Sequence, residues 1–94
     1  MNKSDLKTGM LLELSNGQLS IVLLDTPNGD WCAGNKNFSG TGYFKLDYLT
    51  EDLKVSLSHH TTKEVVVTKV YLPSYSNTFL SFNIHDYSLY WERK

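Results

Sequence analysis

Two apolar runs, Met10-Leu11-Leu12-Glu13-Leu14 and Leu19-Ser20-Ile21-Val22-Leu23-Leu24, flank the triplet Ser15-Asn16-Gly17. Asn-Gly between apolar runs is a strong hairpin signal, because both residues tolerate the positive φ of a primed turn. The pattern therefore predicts strands over residues 10–14 and 18–24. Period-two alternation puts Met10, Leu12 and Leu14 on one face of the first strand and Leu19, Ile21 and Leu23 on one face of the second. These two faces are expected to begin the core together.

Beyond the turn cluster at 25–30, Trp31-Cys32-Ala33 reads as a short strand, and the stretch 34–42, with three glycines and no period, reads as a loop or irregular hairpin end. Residues 43–47 alternate again, with Phe44, Leu46 and Tyr48 on one side. Residues 49–53 suit a single turn, with Thr50 able to cap the N–H groups that follow, and 54–57 a short strand. The polar linker 58–63 leads into Glu64-Val65-Val66-Val67-Thr68-Lys69-Val70-Tyr71-Leu72, where five of nine residues are β-branched and favour strand over helix. Pro73 ends this run. A turn over 74–78, an alternating strand over 79–84 and a closing strand over 88–92 complete the chain. In the closing strand, alternation expects Leu89 and Trp91 inward and Tyr90 outward. No helical stripe exceeds about a turn, so the fold class is all-β: a small antiparallel SH3-like barrel or rolled sheet of five to seven short strands, spanning residues 1–94 as one domain.

Twelve aromatics in 94 residues support a packed core and exclude a disordered chain. All of them lie between Trp31 and Trp91, seven between Tyr71 and Trp91. So small a core holds only a few rings, so some tyrosines must reach the surface with their hydroxyls wet, either as edge-strand solubility or as a binding face. A net charge of −1 lacks the electrostatic footprint of a duplex-binding protein. The lone Cys32 can form neither an internal disulfide nor a cysteine zinc cluster, which fits a reducing cytosol. No apolar run is long enough to cross a bilayer, and Met1-Asn2-Lys3-Ser4-Asp5 opens no signal-peptide core, so the reading is a soluble cytoplasmic protein with no membrane partner.

The chemistry-bearing residues make no recognised constellation. The adjacent His59 and His60 point to opposite sides of an extended chain, and His85-Asp86 reads as a strand-end turn, so neither offers zinc-ligand spacing. Proximity of His85 to Cys32 would permit a thiol–imidazole pair, whereas an inert buried cysteine is the commoner arrangement. Lys36 among Gly, Ser and Thr imitates a phosphate loop, yet the Gly-Lys-Ser/Thr ending and the following helix are both missing. Asp47, Glu51 and Asp52 read as a solvated acidic edge rather than an acid–base pair. No enzyme, no cofactor and no metal site is expected.

Leu6-Lys7-Thr8-Gly9-Met10, Asn16-Gly17, Tyr48-Leu49-Thr50-Glu51-Asp52-Leu53, Val67-Thr68-Lys69-Val70-Tyr71 and Leu89-Tyr90-Trp91-Glu92-Arg93-Lys94 occur in an order that resembles small uncharacterised proteins of bacteriophages and prophages of Gram-positive bacteria. That group shares an L-K-T-G-M opening, an R-N-G hairpin, an acidic Y-N-E-D-L patch, a K-V-Y strand and a W-E-R-K ending; here Ser15 stands where the group has Arg. The resemblance implies a phage or mobile-element protein acting in the bacterial cytoplasm and brings no catalytic residues. The combined expectation is a non-enzymatic binding protein that engages a host protein, in the manner of an inhibitor of a bacterial defence system, through Tyr43, Tyr48, Tyr75, Tyr87, Tyr90 and Lys36. The alternative is a nucleotide or nucleic-acid binder in which tyrosines stack on bases while Lys36, Lys45 and Lys69 touch phosphates. A third reading, a metal-dependent hydrolase, would use His59, His60 and His85.

Overall fold

The fold is seen in a computed structural model that describes residues 1–34, 43–55, 65–73 and 84–93, with only the backbone of Tyr43. Among the described residues seven antiparallel strands form one curled, half-barrel sheet. They are β1 (Leu11–Leu14), β2 (Leu19–Thr26), β3 (Gly29–Gly34), β4 (Tyr43–Lys45), β5 (Lys54–Val55), β6 (Val65–Pro73) and β7 (Tyr87–Glu92). The 3-10 turns Lys3–Asp5, Leu46–Tyr48 and Ile84–Asp86 punctuate them. The strand order is β4-β3-β2-β1-β6-β5, with β7 also paired to β6. The β-branched β6 is the spine: β1 takes one edge, while β5 and β7 share the other at Val65–Val66 and Lys69–Pro73 respectively.

The Asn-Gly hairpin forms between the predicted strands, but its loop has three residues rather than two. Leu14 carbonyl accepts from the Gly17 N–H at 2.9 Å, and the Leu14 N–H donates to Gln18 carbonyl at 2.8 Å, with Gly17 alone at positive φ (90°). A two-residue turn would pair Leu14 with Leu19 and Leu12 with Ile21. The observed register instead pairs Leu12 with Ser20 and Leu11 with Ile21. One residue of slip inverts every side chain of a strand. Met10, Leu12 and Leu14 accordingly face one way, and Leu19, Ile21 and Leu23 the other.

Both sets are still covered, because the sheet is packed on both faces. The first face holds Leu6, Met10, Leu12, Leu14, Val22, Cys32, Phe44, Leu46, Leu49, Leu53, Val65, Val67 and Val70. It draws on both ends of the strand order, so the sheet curls around it. The second face holds a smaller cluster of Leu11, Ile21 and Tyr71, against which Leu19, Leu23, Ile84 and Tyr87 pack. Across this second face the register sets Ala33, Ile21, Leu11, Tyr71 and Leu89 in one row over five strands. Beside it runs a second row of Leu19, Glu13, Lys69 and Glu92, in which the lysine lies between two carboxylates. Opposite charges placed across from one another support the sheet.

Two expectations of facing are corrected by local backbone. Phe44 and Leu46 are buried, but the 3-10 turn at Leu46–Tyr48 rotates Tyr48 outward, 41% exposed. In β7 the partner of Val70 is Trp91 and that of Tyr71 is Leu89, so Tyr90 is a bulge residue. The bulge breaks the alternation. Trp91 packs on the main core as expected, while Leu89, expected inward, is 53% exposed.

The turn after Leu49 gathers distant parts of the chain. The Lys3 N–H donates to Glu51 carbonyl at 3.0 Å and the Val67 N–H to Leu53 carbonyl at 2.9 Å. Arg93 adds Nη2 bonds to Asp52 carbonyl at 2.6 Å and Leu53 carbonyl at 3.2 Å, and an Nε bond to Val67 carbonyl at 2.8 Å. Leu53 is fully buried at φ 65°, a conformation that non-glycine residues adopt only when their surroundings enforce it. The bonds to its carbonyl and its burial in the main core supply that enforcement. Thr50 does cap this turn, accepting the Lys54 N–H at its hydroxyl at 3.1 Å. The strand expected over 79–84 lies outside the described residues except for Ile84, which belongs to a 3-10 turn.

Candidate functional site

The outer part of β7 carries the surface most suited to contact another molecule. Its run Tyr87-Ser88-Leu89-Tyr90-Trp91 is uncharged. Leu89 and Tyr90, at 53% and 57% exposure, are the two most exposed large hydrophobics among the described residues. Strict alternation would hide one of two neighbours, and the bulge is what exposes both. Around them the strand is anchored: Trp91 packs on the main core, the Arg93 guanidinium lies 5.3 Å from the Trp91 ring centroid, and the Arg93 N–H donates to Thr68 carbonyl at 2.8 Å. The two exposed side chains thus project from a preorganised support, which lowers the ordering cost of an encounter.

Of the tyrosines and lysine expected to bind, Tyr90 and Tyr48 are exposed. Tyr48 belongs to the β4 end of the strand order and Tyr90 to β7. Tyr87 is half-buried against the second-face cluster, a packing role that its position beside Pro73 on β6 imposes. Tyr43 pairs through its backbone with Ala33, and Tyr75 and Lys36 lie outside the described residues, as do His59 and His60. Leu89 is the surface residue that alternation concealed; no sequence signal marks the bulge that exposes it.

Two of the lysines expected to touch phosphate, Lys45 and Lys69, are engaged locally. Lys69 Nζ is 3.9 Å from Glu92 Oε2, and Lys45 Nζ sits 5.8 Å over the Trp31 ring. Among the described residues, the Arg93 side chain donates to backbone carbonyls. Tyr71 donates its hydroxyl to Glu13 Oε1 at 2.9 Å; burial, aided by that carboxylate, pushes its pKa up to about 12, so it stays a neutral donor. Cys32 is sealed in the main core, where burial pushes its thiol up to about 12, whereas His85 is exposed on its 3-10 turn. A buried, protonated thiol is a poor nucleophile. The Asp52 carboxyl is held below the usual carboxylate range, chiefly by the Thr50 hydroxyl. Among the described residues no group of three or more His, Cys, Asp or Glu is placed to hold a metal ion, and no helix is long and apolar enough to cross a membrane.

No family model, curated protein or solved structure matches the chain.

Proposed function

We propose that the chain is a non-enzymatic binding protein of phage or prophage origin that engages a host protein in the bacterial cytoplasm, as an inhibitor of a defence system would. The observation that carries the reading is the exposed, uncharged Leu89–Tyr90 projection on β7. Exposed aromatic anchors on a fixed support are the usual centres of protein interfaces. The curled sheet with its one-turn 3-10 crossings suits the SH3-like barrel expected from the length, and the resemblance of the opening and closing motifs supports the phage origin. Phosphate binding is less well served, since Lys69 and Lys45 are already engaged by Glu92 and Trp31.

Affinity capture from a Gram-positive host lysate tests this reading, with the wild type compared against Leu89→Arg and Tyr90→Ala of unchanged melting temperature. The reading expects one host protein retained by the wild type, lost by both variants, and still held at about 1 M salt, where the screening length falls to about 3 Å. Equal retention by all three proteins, or loss of the wild-type complex on raising salt, refutes it.

A further inference from the structure

We infer that Gln18 and Ser20 form a binding site for one internal water molecule inside the sheet. Ser20 pairs with Leu12 on one side and Gly34 on the other, so its hydroxyl shares the main-core face with Leu12. Gln18, two residues earlier, shares that face, and the two are 1% and 0% exposed. The Gln18 amide donates from Nε2 to Ser20 Oγ at 3.0 Å, and among the described residues no group donates to Gln18 Oε1. Turning the amide over cures nothing: Ser20 would then donate to Oε1, and Nε2 would be the atom left alone. Nor does the backbone of Gln18 help, since its N–H donates to Asn16 Oδ1 at 3.0 Å and its carbonyl accepts from the Leu14 N–H at 2.8 Å.

A buried carboxamide needs more than one partner, and buried polar atoms in folded proteins nearly always have them. The pair presents an acceptor, Gln18 Oε1, beside a hydroxyl able both to donate and to accept. Water matches that combination, donating to the amide oxygen and accepting from the serine. A metal cation is disfavoured because both side chains are neutral, and a larger guest because both are closed to solvent.

A crystal structure at about 1.5 Å tests the inference, since ordered waters are located reliably there while hydrogens are not. The expected result is one density peak about 2.7–3.2 Å from both the Gln18 amide oxygen and Ser20 Oγ. In Gln18→Met, which keeps the length of the side chain and removes the amide, the peak is expected to vanish. An amide packed dry against carbon, an amide oxygen bonded to a protein donor, or a peak that survives in Gln18→Met overturns it.

Discussion

Arg93 donates three side-chain hydrogen bonds to carbonyls of two other segments, so replacing it should damage the fold although it belongs to no core. Hydrogen bonds from a charged donor contribute about 1.5–3 kcal/mol each. The Asp52 carbonyl is exposed and water replaces the lost donor there, so the bonds to Val67 and Leu53, both part-buried, carry most of the effect. Loss of the stacking on Trp91 adds about 0.5–1 kcal/mol. Since these contributions share one side chain and do not sum fully, Arg93→Ala is expected to cost about 2–4 kcal/mol. Against the roughly 5–15 kcal/mol of a small domain that is a large share, equivalent to a fall of about 10–25 °C in melting temperature. Arg93→Lys keeps the charge but cannot reproduce the planar fork, so it should recover less than half of the loss. Urea unfolding followed by tryptophan fluorescence measures both variants, with Trp91 reporting on its own neighbour. A lysine variant as stable as wild type, or an alanine variant within about 0.5 kcal/mol of it, would refute the argument.

On β7, Trp91→Ala should cost about 3 kcal/mol through lost burial, while Leu89→Ala and Tyr90→Ala stay within about 0.5 kcal/mol of wild type in the same assay; a collapsed Leu89→Ala would restore the unbulged register. Gly17→Val should cost about 1–3 kcal/mol, because φ 90° resists a β-branched side chain, and an unfolding curve that overlays wild type would contradict the hairpin geometry. Stability should also fall in alkali. Cys32 is raised from 9.0 to about 12 in the folded state, so the unfolded chain releases its proton first: the contribution is intact below pH 9, erodes by about 1.4 kcal/mol per pH unit above it, and is exhausted near pH 12. Denaturation of Cys32→Ala across this range should show a shallower decline, to which Tyr71 still contributes, its window opening at 10.0.

The fold class and most strands were legible because turn chemistry and β-branched runs are local signals. Asn16-Gly17 marked the hairpin, and residues 65–70 could hardly be anything but strand. Facing was less legible, because it depends on counting residues across irregularities. A third loop residue inverted Leu19, Ile21 and Leu23 relative to Leu12, and the extra residue at Tyr90 turned Leu89 outward. Both faces of the sheet are apolar, so hydrophobicity alone could not choose between registers. The surplus of rings over core volume demands that some tyrosines reach the surface, and alternation names Tyr90 as one; it sets Tyr48 beside Phe44 and Leu46, from which only the 3-10 turn removes it, and it cannot separate these two from Tyr87, whose burial depends on Leu11, Ile21 and Tyr71 far away in sequence. The role of Arg93 is not legible, since nothing local tells a solvated arginine from one reaching carbonyls about forty residues away.

The turn at 51–53 receives bonds from residues 3, 67 and 93, and those distances along the chain impose an order of events. The β1–β2 hairpin closes a loop of three residues, whereas Lys3 and Arg93 can reach the turn only after segments of about forty residues or more have been brought together, at a larger entropic cost. The turn should therefore be absent from the rate-limiting nucleus and lock afterwards. If so, weakening it through Arg93 accelerates unfolding and leaves the refolding rate nearly unchanged, while a lesion at Gly17 slows refolding. The chain would then owe its persistence in the folded state, as distinct from its speed in reaching it, to the last knot tied.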